Sequence, residues 1–80
     1  MSEVNIKQTL IDMVQAIVDK PDEVTVLQVD DGDNITLELN VAPDDMGKII
    51  GRHGRVAKAI RMVMKSVANT MGKKISIDIK

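Results

Sequence analysis

The sequence predicts an α+β fold with element order α-β-β-α-α-β, in which a three-stranded mixed sheet packs against three helices. Three observations carry this. Apolar residues recur at helical spacing in residues 4–19 and 55–71, they alternate with a period of two in 35–41 and 75–79, and turn-forming residues separate each segment from the next. The 80 residues suffice for one domain, expected to span 1–80. A chain of that size buries only about 60–65% of its unfolded surface, so modest stability is expected.

Taken in order, Ile6, Leu10, Met13, Val14, Ile17 and Val18 line one side of a helix over about 4–19, with Lys7, Gln8, Asp12, Gln15 and Asp19 opposite. Lys20-Pro21-Asp22 ends it, because the residue before a proline is driven out of the helical region. Residues 24–29 are β-branched and apolar, but their alternation slips at Val26-Leu27, which predicts a strand that is bulged or packed on both faces. Asp30-Asp31-Gly32-Asp33-Asn34 is a turn, after which Ile35, Leu37, Leu39 and Val41 alternate with Thr36, Glu38 and Asn40, so the pair forms a hairpin. The aspartates of that turn do not make a calcium loop, since no glutamate stands at the twelfth position and a strand follows at once.

Ala42-Pro43-Asp44-Asp45 starts a short helix of about two turns reaching Ile50, with proline set for the first turn and aspartates suited to the positive end of the helix dipole. In the long helix, Val56, Ile60, Val63, Val67 and Met71 fall within about 80° of arc, flanked by Ala59 and Met64, and this stripe is expected to be core. Arg55, Lys58, Arg61 and Lys65 project from the other side, with Met62 among them, while Met13, Met64 and Met71 are expected as core filler. Met71-Gly72 ends the helix, and Ile75, Ile77 and Ile79 form the last strand, parallel to 35–41 across the helical crossover.

A net charge of −1 conceals a division between the halves. Residues 1–45 carry eleven acids against Lys7 and Lys20, a balance of −9, whereas 46–80 carry nine bases against Asp78, a balance of +8. No Asp or Glu occurs anywhere in 46–77, which points to a polyanionic partner on that half. The absence of cysteine excludes a disulfide framework and a thiolate metal site, and His53 alone cannot build a zinc centre, so neither metal nor cofactor is expected. There is no P-loop lysine motif and no set of nucleophile, histidine and carboxylate, so no catalytic residue is assigned and neither enzymatic activity nor a small-molecule substrate is expected. No apolar run approaches the ~20 residues of a membrane span and no signal segment is evident, so a soluble cytoplasmic protein is expected, with no membrane partner.

The most informative local feature is Gly51-Arg52-His53-Gly54, flanked by Lys48-Ile49-Ile50 and by Arg55-Val56-Ala57-Lys58-Ala59-Ile60. Glycines at both ends permit a sharp bend and bring backbone N–H groups close to an anion, while Arg52 and Arg55 supply positive charge. The run resembles the core of the KH domain, over residues 46–64, and the order of elements resembles the prokaryotic, type II arrangement. A chain of this size is similar to the bacterial single-KH proteins of the KhpA type.

That resemblance implies an RNA-binding module that holds about four nucleotides of single-stranded RNA in this loop. The residues it implicates are Lys48, Ile49, Ile50, Gly51, Arg52, His53, Gly54, Arg55 and Lys58. Lys58 is favoured over Arg61 as the RNA-facing cation, and the bases are expected between the Ile49-Ile50 helix, the long helix and the strand carrying Glu38 and Asn40. The resemblance also implies a post-transcriptional regulator or RNA chaperone linked to cell division and envelope growth. Implied partners are a second copy in a homodimer, or a larger KH protein of the KhpB or Jag type in a heterodimer. A dimerising module in which RNA contact is secondary is the competing function. The lack of any aromatic residue removes base stacking, so weak and unselective binding is expected of one copy.

Overall fold

In the computed structural model, which describes residues 5–80, the elements follow the predicted order. Helix α1 spans Ile6–Gln15, capped by the Asn5 carboxamide oxygen, which accepts from the Gln8 N–H at 3.1 Å. The predicted start of this helix at residue 4 lies outside the described residues. Its end comes four residues before the predicted position 19. Val18 is still buried, but the N–H groups of Asp19 and Lys20 donate to the carboxylate of Asp45 and are drawn out of helical geometry.

Strands β1 (Thr25–Asp31) and β2 (Asn34–Asn40) form the hairpin in an unbroken antiparallel register from Thr25↔Asn40 to Asp31↔Asn34. The predicted bulge is therefore absent. The slip in the apolar pattern arises because Val26 faces the helices while Leu27 and Val29 face away, 56% and 50% exposed. Gly32 at φ +62 is the only residue of the two-residue turn in the left-handed region, as a type II′ turn requires. Strand β3 (Lys74–Ile79) pairs in parallel with β2, giving the order β1-β2-β3. The Lys80 ammonium donates to Glu38 at 3.0 Å, and this bond, with the nearby carboxylate charges, holds it above the ordinary lysine range. The ammonium is thus fully charged at neutral pH, and alkali breaks the tie only as it removes that proton.

Helix α2 spans Met46–Ile50 and α3 spans Arg55–Thr70. All three helices lie on one face of the sheet, around a core in which Leu10, Leu37, Leu39, Ile49 and Met64 are fully buried. The stripe that α3 buries differs from the predicted one. Ala57, Ile60, Met64 and Ala68 are buried, whereas Val63 is 47% and Met71 38% exposed and Ala59 is exposed. The helix is rotated so that two alanines, which carry little weight in a hydrophobicity pattern, sit where it approaches its neighbours.

Among the described residues Asp45 is the one buried charged side chain, 1% exposed. Its Oδ1 accepts from Asp19 N–H at 3.1 Å and its Oδ2 from Lys20 N–H at 3.0 Å, pinning the end of α1 to the start of α2. Two exposed ion pairs flank this tie, Lys20 with Asp44 at 3.1 Å and Lys48 with Asp19. Asp45 thus acts as an acceptor for a distant turn and not only as a dipole partner of its own helix. Asp45→Ala would leave two N–H groups without an acceptor and should cost on the order of 3 kcal/mol, with Asp45→Asn losing about 1 kcal/mol, both measured by urea denaturation.

Candidate nucleic-acid interface

The glycine loop is built by three left-handed residues in four. At the end of α2, Gly51 adopts φ +74, ψ 175, its N–H donating to the Gly47 carbonyl at 2.8 Å. One tight turn over Arg52–Gly54 follows, with His53 at φ +58 and Gly54 at φ +73, and α3 begins at Arg55. The two glycines are required for different reasons. A Cβ on Gly51 would stand 2.3 Å from Cγ2 and 2.8 Å from Cβ of Val56, whereas one on Gly54 would meet nothing within 4 Å. Gly51 therefore sets how closely α2 and α3 meet, and Gly54 supplies only its backbone conformation. Histidine is among the side chains that tolerate this region better than most, and His53 stands exposed at the tip with Arg52.

Around the tip the backbone presents donors. The Gly54 N–H is taken by the Gly51 carbonyl at 3.2 Å, but the N–H groups of Arg52 and His53 have no backbone partner among the described residues. No side chain caps the start of α3. A helix N-terminus with open N–H groups beside a bend of this kind attracts anions. The cations are also free. Among the described residues the ion pairs involve Lys20, Lys48 and Lys80, so Arg52, Arg55, Lys58, Arg61 and Lys65 face solvent without a carboxylate partner.

The sequence-predicted residues separate into two groups. Gly51, Arg52, His53, Gly54 and Arg55 come together at the tip, with Ile50 beside them at 42% exposed and Lys58 one turn into α3. Ile49 is fully buried and belongs to the core, and Lys48 is engaged with Asp19. A groove lies between α3 and the edge strand β3, lined by Arg61, Lys65, Ile75, Ser76 and Ile77, then by Asn69, Lys74 and Asn34 near the hairpin. The predicted wall of Glu38 and Asn40 is corrected. They lie on the central strand, on the face turned from the helices, while β3 occupies the edge. Lys58 does not line this groove and Arg61 does. Sequence reasoning passed over Ile75, Ser76 and Ile77, because alternation along the last strand does not show that it lies at the sheet edge.

A family model described as the KH domain of KhpA and KhpB matches residues 7–79. The chain belongs to this family. Its arrangement is that of a type II KH domain, and the family is one of KH domains and not of enzymes. Among similar proteins, one from Clostridium acetobutylicum is 49% identical over 73 residues, covering 91% of this chain and 97% of the relative. Another from Halalkalibacterium halodurans is 45% identical, covering 90% and 96%. A third from Chlamydia trachomatis is 45% identical, covering 91% and 94%. Each bears the name RNA-binding protein KhpA. Among the described residues there is no cluster of side chains able to hold a metal ion, and no helix is long and apolar enough to cross a membrane.

The glycine geometry has a direct test. Gly51→Ala should destabilise the KH domain by on the order of 3 kcal/mol, combining a left-handed backbone with the Val56 clash, while Gly54→Ala should cost about 1 kcal/mol, as thermal or urea unfolding would show.

Proposed function

We propose that this KH domain binds single-stranded RNA, gripping phosphates with the Gly51–Gly54 loop and the start of α3 and holding bases in the groove between α3 and β3. The observation that carries this is the line of cations without carboxylate partners among the described residues, from Arg52 and Arg55 at the loop to Arg61 and Lys65 in the groove. Phosphate contact supplies affinity and position, the aliphatic floor of Ile75 and Ile77 offers bases apolar contact, and the open backbone edge of β3 beside Ser76 offers hydrogen bonds. The names of the relatives support the ligand class. Lys58 adds charge beside the loop, and Lys48 contributes on exchanging Asp19 for phosphate. A footprint of about four nucleotides follows from the KH architecture. The cellular role in this reading is a cytoplasmic post-transcriptional regulator or RNA chaperone.

A second reading, a dimerising module, is favoured by one observation. Met62 and Val63, 64% and 47% exposed, lie with Ala59 on the side of α3 left free by the rotation described above. A second copy or a larger KhpB- or Jag-type KH protein would cover them. Gel filtration of nuclease-treated protein should then show a dimer that Met62→Glu converts to a monomer; a wild-type monomer at all concentrations would remove the homodimer and leave only the heterodimer.

Arg52→Asp with His53→Asp should lower RNA affinity by about a hundredfold, equivalent to about 2.8 kcal/mol, while leaving the circular dichroism spectrum unchanged. Arg61→Ala with Lys65→Ala should lose about tenfold, more than Lys58→Ala alone. With about three phosphates neutralised, the slope of log affinity against log salt should be near −2, and a slope near zero would refute phosphate binding.

A further inference from the structure

Near the hairpin the groove opens into a second cavity of about 420 Å³, lined by Asn34, Lys65, Asn69, Lys74, Ile75 and Ser76. It shares Lys65, Ile75 and Ser76 with the first, so the two are continuous. Arg61, Lys65 and Asn69 stand four residues apart on α3 and therefore share one side of the helix, while Asn34 and Lys74, paired at the start of β2 and β3, form the far corner.

Every polar side chain in this lining can donate a hydrogen bond. The ammonium groups of Lys65 and Lys74 and the carboxamides of Asn34 and Asn69 have no hydrogen-bond or ion-pair partner among the described residues. No carboxylate lines the cavity. Asp31 and Asp33 flank Gly32 at the neighbouring hairpin end, where Lys73 adds a positive charge by donating to the Gly32 carbonyl at 3.3 Å. The end of a helix ordinarily repels an anion, because its last carbonyls are unpaired. Here they are taken. The Val67 carbonyl accepts from the Thr70 hydroxyl at 2.6 Å, that of Ala68 from the N–H groups of Met71 and Lys73 at 3.0 Å, and that of Asn69 from the Gly72 N–H at 3.0 Å.

We propose that this cavity is a second phosphate anchor for the RNA strand, in which Lys74 and Asn69, with Lys65, hold one phosphate beyond those gripped at the glycine loop. The inference rests on the RNA-binding reading given above. Continuity with the groove selects the ligand, since a strand leaving the groove past Lys65 brings its next phosphate here. Fifteen residues of helix separate Gly54 from Asn69, about 22 Å at about 1.5 Å per residue. Stacked nucleotides advance about 3.4 Å each, so about six reach from one anchor to the other, and splayed ones reach with fewer. A tetranucleotide has only three internal phosphates, all of them used by the loop and the groove cations in that reading. Anchors at both ends of the groove fix the register of the strand and hence which bases lie over Ile75 and Ile77.

The test is fluorescence anisotropy of the full chain with oligouridylates of four and eight nucleotides across a salt series. The octamer should bind about tenfold more tightly than the tetramer, with the slope of log affinity against log salt steepened from near −2 to about −2.7, the increment of one further phosphate. Extra registers on a longer strand raise affinity but leave the slope unchanged, so the slope identifies the contact. Asn69→Ala with Lys74→Ala should remove the tenfold gain and return the octamer slope to near −2, while binding the tetramer as the wild type does, which also reports that the variant folds. Lys80→Ala, an equal loss of charge at the end of β3, should keep the steep slope. An octamer slope equal to that of the tetramer, a steep slope retained by the double variant, or a slope lost equally in Lys80→Ala would overturn the anchor and leave the loop reading standing. Failure of the wild type to bind the tetramer would overturn the loop reading and the anchor with it.

Discussion

The approach of Gly51 to Val56 is the constraint on which the functional end of this molecule depends. No side chain fits between the end of α2 and the first turn of α3, since a single Cβ would come within 2.3 Å of the valine methyl. That closeness forces the reversal into a four-residue bend, and the bend turns backbone donors and two cationic or polar side chains outward together. Asp45 completes the constraint from the other end of α2, because it fastens the beginning of this short helix to the turn after α1. A five-residue helix has little stability of its own, so its orientation comes from these two anchors.

The charge division of the sequence is not spent on holding the halves together. Of the three ion pairs among the described residues, Lys20 with Asp44 lies wholly in the acidic half, and only Lys48 with Asp19 and Lys80 with Glu38 join the two. All are exposed, where such pairs contribute about 0–1 kcal/mol. Had the acids been placed to neutralise Arg52, Arg55, Arg61 and Lys65, a phosphate would have to displace them. The structure leaves these cations solvated and gathers the stability in an apolar core.

Much of this was legible in the sequence. Element order, hairpin, parallel crossover, glycine loop and the domain family followed from periodicity, turn residues and the run from Ile49 to Ile60. Three features were not, and each has a physical reason. The face of α3 was misjudged by about one residue because Ala57 and Ala68 mark close packing with almost no hydrophobic signal. The role of Asp45 was hidden because its partners are backbone N–H groups 26 and 25 residues earlier, which side-chain patterns do not report. The groove wall was assigned to β2 because strand alternation reveals which residues share a face but not which strand lies at the edge.

The slip at Val26-Leu27 shows how one local irregularity can carry more than one meaning. A bulge there would have placed Val26 and Leu27 on the same side and buried both, which satisfies the hydrophobic effect within the chain. The unbroken register does otherwise, because seven regular pairs between β1 and β2 preserve every ladder position that a bulge would disturb. The consequence is a sheet with two unlike sides, one closed by helices and bordered by the basic groove, the other open and exposing Leu27 and Val29. In a chain of 80 residues, that separation depends on β2 being central, since each of its side chains faces one layer or the other and none faces both.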